Sequence, residues 1–337
     1  MRLKKYIIVS LLTVFVGTIF QMCVPKENEK KIVTYINSFH RGHPSSDDIM
    51  DGILENFPSD SFEIDTYFMD TKRNPSSEYM EHRANQLFDT IMEIKPDILL
   101  VSDDNAIKYI VQPHLEELTM PIVFCGVNWT DDEYDLPPNK VTGMLEILPV
   151  ADMLITMRLY YPSMNKLLFL SENTTTSRKE KQLLDTLFNR VGVAVTHELV
   201  DDFDQWKVIF KEANQAYDII YLPTHGAIKG WNHEEAVGFI SQHIQVPVVT
   251  TEDFMMPYAV FGLTKVAKEQ GTWVALTGKK ILKGSSPSDF PVTRNKESTY
   301  WLNTSLAEKI GFEPDTVLLS KLATIDVGHQ SGRTPIR

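Results

Sequence analysis

Asp97–Lys108 reads DILLVSDDNAIK and Asp218–Lys229 reads DIIYLPTHGAIK; aligned without a gap, Asp, Ile, Ala, Ile and Lys coincide, and three further positions are apolar in both. Each copy leads through a helical stretch into a strand headed by proline, MPIVFCGVN in the first and VPVVTTEDF in the second. Upstream, the strand and helix that begin at Lys31 match those that begin at Lys166. A period of about 120 residues is too long for a solenoid repeat, which runs ~20 to 50 residues, and points instead to duplicated domains. Chance likeness between two βαβ segments is the alternative.

Short apolar runs alternate with amphipathic stretches throughout both copies. KIVTYI (31–36), FEIDTYFMD, DILLVS and PIVFCGV read as strands, with helices over 47–57, 77–94 and from Ala106. The pattern restarts with KLLFLS (166–171), a helix over 178–191, AVTHELV, a helix over 203–216, then DIIYLP and PVVTTE. Strands separated by helices of this length mean βαβ units, hence parallel sheets with right-handed crossovers. The join between units falls around 143–151, leading into a helix over 152–160. No third unit follows. AVFGLT supplies a strand, 265–283 a helix, SSPSDFPVTR a connection and STYWLNTSLAEKIGF a closing strand and helix, with a loose tail from Gly328.

In open parallel sheets, ligands bind beyond the carboxyl ends of the strands. Those positions hold Asn37, Ser38, Phe39 and His40 after the first strand, Ser102, Asp103, Asp104 and Asn105 after DILLV, and Asn128 and Trp129 after PIVFCGV. The second unit offers Ser171, Glu172, Asn173 and Thr174, then Thr224 and His225, then Thr251, Glu252, Asp253 and Phe254. Helix starts in such loops carry unpaired N–H groups that accept an anionic group. The carboxylates of Asp103, Asp104, Glu252 and Asp253 suit an ammonium, and Phe39, Trp129 and Phe254 suit an apolar part. Ser102, Asp103, Asp104, Asn173 and Thr174 are equally good helix caps. The case for a ligand therefore rests on two matched sets of loops facing one cleft. The segment HRGHPSSDD (40–48) suggests a metal, but its Gly and Pro imply a turn, and Asp47 and Asp48 suit the first turn of a helix. The reading is no metal. Phosphate-loop, zincin and nucleophile-elbow motifs are lacking, so neither a cofactor nor catalysis is expected.

The chain has 337 residues, 43% of them hydrophobic, which is material for about two domains. A formal charge of -12 argues against a nucleic-acid partner, which requires a basic patch to replace phosphate counterions. Arg2, Lys4 and Lys5 precede an uncharged apolar run from Tyr6 to Phe20, then Cys23 and a polar stretch. This reads as an export signal. It resembles a bacterial lipoprotein signal in which Cys23 is lipidated, although Met22 stands where that pattern prefers a small residue. An uncleaved anchor helix is the alternative, and either anchors the body to the outer side of a membrane. Cys125, in PIVFCGV, reads as a small core residue.

The segments PDILLVSDDNAIKYI, MPIVFCGVN, KVTGMLE, DIIYLPTH, VPVVTTEDF, AVFGLTKVAKEQG, ALTGKKILKGSSPSDFPV and WLNTSLAEKIGFEPD together resemble the ABC-transporter substrate-binding family that includes tryptophan- and other amino-acid-binding lipoproteins. The likeness spans residues 31–325. SFHRGHPSSDDIMDGI is more similar to relatives of this domain in bacterial sensor proteins. The resemblance implies a type I periplasmic-binding-protein fold, with two Rossmann-like parallel-sheet lobes joined by three crossovers. The expected bodies are 31–146 plus about 260–292, and 147–259 plus about 293–327, after a signal and linker (1–30) and before a tail (328–337). It also implies a small-molecule ligand held by Ser102–Asn105, Asn128, Glu172–Thr174, His225 and Thr251–Asp253, and delivery to an ABC permease. Asp103 and Asp104 stand where amino-acid-binding members have small or hydroxyl residues, which favours an amine-bearing or otherwise cationic solute. The alternative partner is a separate membrane sensor kinase, and a third reading, a hydrolase, would require turnover.

Overall fold

The run of β-branched and aromatic residues at Lys31–Asn37 forms β1, buried from Val33 to Asn37 because both its faces are covered by helices. The computed structural model describes residues 30–190 and 192–325. The signal with Cys23, Val191 at the end of an expected helix, and the tail from 328 lie outside the described residues.

The first half runs β1, α1 (Pro44–Leu54), β2 (Phe62–Phe68), α2 (Ser77–Ile94), β3 (Ile98–Ser102), β4 (Ile122–Asn128) and β5 (Val141–Glu146). After α3 (Val150–Tyr160) come β6 (Lys166–Glu172), α4 (Thr175–Arg190), β7 (Ala194–Val200), α5 (Phe203–Ala216), β8 (Ile219–Tyr221), α6 (His233–His243), β9 (Val248–Thr250) and β10 (Phe261–Lys265). The chain then forms α7 (Ala267–Leu282), β11 (Thr293–Arg294), β12 (Ser298–Asn303), α8 (Thr304–Ile310) and β13 (Leu322–Ile325). One sheet has the order β11-β5-β4-β3-β1-β2 and the other β13-β12-β10-β9-β8-β6-β7. The stretches from β2 to β5 and from β7 to β10 therefore share one order, all parallel. These are two parallel-sheet α/β lobes.

The repeated residues have repeated duties. Asp97 accepts the backbone N–H of Ile32 at 2.9 Å, and Asp218 accepts those of Asn165 and Lys166 at 2.9 Å, so each aspartate pins the start of the neighbouring strand. The amide of Ala106 donates to Ser38 Oγ at 2.9 Å, and that of Ala227 to Glu172 Oε2 at 2.6 Å. Each ties its loop to the end of β1 or β6.

Several boundaries differ from the sequence expectation. Helix α1 begins at Pro44, not Asp47, because a proline without an N–H is suited to a first helical position. After Ser102 the chain makes a single α turn at Asp104–Ala106, widens to a π turn at Ile107–Val111 and tightens at Gln112–His114, where Pro113 withdraws a donor. The return to the first lobe, expected at about 260, comes after Lys265: β10 pairs in parallel with β9 and antiparallel with β12. The last change, expected at about 293, comes after Arg294, because Thr293 and Arg294 pair with Met144 and Leu145.

The chain thus passes between lobes three times, near Ile147, Val266 and Lys296, and these passages are bonded to one another. Asn295 Oδ1 accepts the Ile147 amide at 2.7 Å, and the Val266 amide donates to Glu297 O at 3.3 Å. Helix α7 packs against α1 at glycines: a Cβ on Gly271 would meet Ile49 O at 1.9 Å, and one on Gly52 would meet Lys268 O at 2.6 Å. Trp206 stacks on Phe210 in the core of the second lobe. Among the described residues, no helix is long and apolar enough to cross a membrane.

Candidate functional site

The carboxyl ends of the strands of both lobes meet across a cavity of about 60 Å³. The first lobe lines it with Phe39, His43, Lys72, Ser102, Asp103, Asn128 and Glu146, and the second with Glu180, Thr224, Glu252, Phe254 and Lys265. The space holds only a few water-sized groups.

Asp103 sits at φ 74° and ψ 161°, a region otherwise used almost only by glycine. A bulge in β4 makes room for this turn. The register slips between Cys125 and Val127, where Gly126 has φ 70°, and a Cβ there would come within 3.2 Å of the Asp103 nitrogen. The Gly126 amide donates to Gln270 Oε1 at 2.8 Å, so α7 holds the bulge. The strained backbone carries the Asp103 carboxyl to the cavity wall.

The charges there are buried and uneven. Lys72 Nζ meets Glu172 Oε1 at 2.5 Å across the lobes, and Lys265 Nζ lies 2.5 Å from Glu146 Oε1 and 2.8 Å from Glu252 Oε1. Gln270 Nε2 donates to the other oxygen of Glu146 at 2.8 Å. Both ammonium groups are therefore spent on three carboxylates, which leaves Asp103 and Glu180 without a cation. Burial pushes the Glu180 carboxyl up to about 8, although the Tyr221 hydroxyl donates to it at 3.1 Å. Burial, with Asp104 alongside, also raises Asp103. The histidines carry no compensating charge at neutral pH: burial lowers His43 to about 2 and His225 to about 4. Two residues that line the cavity, His43 and Ser45, each hold a buried polar atom, Nδ1 and Oγ, with no hydrogen-bond partner among the described residues. Buried polar atoms are normally paired, so orphans on residues of the cavity wall leave room for a further partner there.

Of the residues proposed from sequence, Phe39, Ser102, Asp103, Asn128, Thr224, Glu252 and Phe254 line the cavity, while Trp129 packs against the core of the second lobe. Glu172 stands behind Lys72. Ser38 braces the wall, donating to Ser102 O at 2.7 Å. Asp104 turns from the cavity and accepts from Tyr134 at 2.7 Å, Asn128 Nδ2 at 2.7 Å and Lys179 at 2.6 Å. Asn105 donates to Thr71, and Thr251 bonds the Tyr221 hydroxyl. Thr174 accepts the Ser177 amide as a helix cap, and Asn173 is exposed against Asp201 and Arg178. His225 stacks on Trp231 with centroids 4.5 Å apart. Asp253 is exposed. His40 faces outward, 3.6 Å from Asp70. Sequence reading missed Lys72, Glu146, Glu180 and Lys265. Lys72, Glu146 and Lys265 do end or follow strands, so the strand-end rule reaches them once β2, β5 and β10 are included; Glu180 lies inside a helix and gives no such signal.

A family model for ABC transporter substrate-binding proteins matches residues 38–324. The chain belongs to that family. No curated protein matches it. Among solved structures, a conserved domain protein of Vibrio cholerae is 18% identical with TM-score 0.68, covering 88% of this chain and 99% of that one. The ABC domain from Streptococcus pneumoniae in complex with L-Trp is 15% identical with TM-score 0.67, again covering 88% and 99%. A ligand-free, open substrate-binding protein with adhesive properties from Clostridium difficile is 15% identical with TM-score 0.65 and the same coverage. At these identities the likeness is one of fold. It is the fold of type I periplasmic binding proteins. Like other members of its family, this substrate-binding protein takes a small ligand, and the family is not one of enzymes.

Proposed function

We propose that the protein captures a small cationic solute, amine-bearing, between its lobes outside the cytoplasm and presents the closed form to an ABC permease. One observation carries the ligand class: the walls hold more buried carboxyls than ammonium groups, with Asp103 and Glu180 left over. An incoming cation would let both ionise, so the ligand supplies the missing charge. The moving bodies in this reading are 31–146 with 267–294, and 150–265 with 298–325. Closure is a population shift, set by how much better the solute binds the closed state.

Calorimetry with a panel of small amines, zwitterionic amino acids and neutral sugars tests the ligand class. Amines should bind and sugars of equal size should not; tight binding of a neutral sugar would overturn it. The segment Ser38–Ile53, similar to sensor-protein relatives, supports a second reading in which the same clamp reports to a membrane kinase. Pull-down with the neighbouring membrane proteins, permease or kinase, separates the two. The membrane attachment through Cys23 belongs to the same proposal, and mass spectrometry for a lipidated Cys23 tests it.

A further inference from the structure

On the outer face of the first lobe lies an open groove of about 600 Å³ whose walls include Arg41, Arg73 and Arg83. In a chain of net charge -12 this concentration of guanidinium groups is out of keeping with the whole. Arg83 donates through Nε and Nη2 to the neutral Phe68 carbonyl at 3.0 and 2.9 Å and through Nη1 to Gln86 Oε1 at 3.2 Å, so it is held in place by neutral groups, with no ion pair among the described residues. Arg41 is exposed and lies 5.9 Å over the Phe68 ring. Only Arg73 is neutralised, by a two-pronged bond to Asp70 at 2.7 and 2.8 Å. The Nε and Nη2 edges of Arg73 and Arg83 are already engaged, so the fork left for a carboxylate is that of the exposed Arg41, with the Arg83 charge lining the same groove.

The groove is also connected to the cavity. Its floor is made by the loops after β1 and β2, which are bonded together: the amides of Asp70 and Thr71 donate to Phe39 O and Ser38 O, each at 3.0 Å. Residues on these loops alternate sides. His40 and Arg41 face the groove while Phe39 and His43 face the cavity; Arg73 faces the groove while Lys72 reaches Glu172 of the other lobe. His43 in turn sits 5.9 Å from the ring of Phe254. Any movement of these loops as the lobes part is transmitted to the groove wall.

We propose that this groove docks an acidic, extended segment of a partner protein, and that the partner reads lobe closure there. The charges are spread over two loops and α2 rather than converging on a point, which suits a chain of carboxylates better than a single ion. The proposal does not depend on which solute the cavity takes.

The test is fluorescence anisotropy of a labelled hexaglutamate peptide on the full chain at low salt. Binding should weaken as salt is raised, and Arg41→Gln with Arg83→Gln should lower affinity about tenfold. Arg41→Gln alone, an exposed change that keeps the Phe68 carbonyl bonded, should lower it less and leave solute binding in the cavity unaltered. Equal peptide affinity in wild type and both variants would overturn the docking site, as would orthophosphate alone binding as tightly as the peptide. Lys72→Met should change the peptide's affinity, and an unchanged value would overturn the link to closure.

Discussion

Lys72 and Glu172 join the lobes through a 2.5 Å ion pair in which the Glu172 side chain is fully shielded from solvent. Lys179 adds a second tie, to Asp104 at 2.6 Å and Glu133 at 2.8 Å. Removing one partner of a buried pair leaves an uncompensated charge, a cost of about 3–5 kcal/mol. That cost falls on the closed form alone, because opening rehydrates Glu172. Lys72→Met should therefore open the ligand-free protein, seen as a larger radius of gyration in small-angle scattering. An unchanged radius would show that the pair does not hold the lobes together.

Solute binding should depend on pH through Glu180. Its folded pKa, raised to about 8, keeps it protonated and neutral near pH 7. A quaternary ammonium solute, which does not itself titrate, should bind more tightly as pH rises from 6 to about 9 and release a proton on binding at neutral pH. Because the folded pKa lies above the ordinary value of 4.5, the folded state is favoured below that value and loses stability as pH rises through 8. Glu180→Gln should reduce both dependences, leaving the part that Asp103 carries. Titration calorimetry in buffers of different ionisation heat measures the proton, and a pH-independent affinity in the wild type would sink the linkage.

Asp103 trades stability for position. Asp103→Gly should relieve about 1–3 kcal/mol of backbone strain and raise the melting temperature, while weakening solute binding. Asp103→Asn should keep the strain and weaken binding alone. A lower melting temperature for the glycine variant would mean that the carboxyl itself supports the fold.

The duplicated lobes were legible because one pattern, Asp97–Lys108 against Asp218–Lys229, carries both a strand and the carboxylate that pins its neighbour. Parallel strands buried on both faces read as continuous apolar runs, so β1, β3, β4 and β6 announce themselves. The site was half legible. Asp103, Asn128 and Glu252 follow strands as the topology requires. Lys72, Lys265 and Glu146 matter through partners remote along the chain, and no local pattern shows that a lysine is buried against a glutamate 100 residues away. Asp104 and Asp103 are neighbours with opposite duties, and only the turn at φ 74° decides which one faces the cavity.

Gly271→Ala tests the seam between α1 and α7. The added methyl would lie 1.9 Å from Ile49 O, a backbone atom that cannot rotate away. Forced separation of packed elements costs roughly 1–3 kcal/mol or more. The midpoint of urea unfolding should fall accordingly. Because α7 also carries Gln270 to Gly126 and Glu146, solute affinity should fall with it. A midpoint equal to that of the wild type would show that the helices can part there without loss.

At the base of the cleft, Lys265 ends the strand before the second passage, Glu146 ends the strand before the first, and one ammonium grips both ends. The third passage is laced to the other two through Asn295 and Glu297. Three cords knotted at one level cannot slide or lengthen independently; they flex together, like a strap bent across its width. If the lobes part as proposed, their freedom would thereby be reduced to rocking about a single line through that knot. A solute arriving at the mouth would then meet jaws whose path is already prescribed, and it would have only to decide how far along that path they rest.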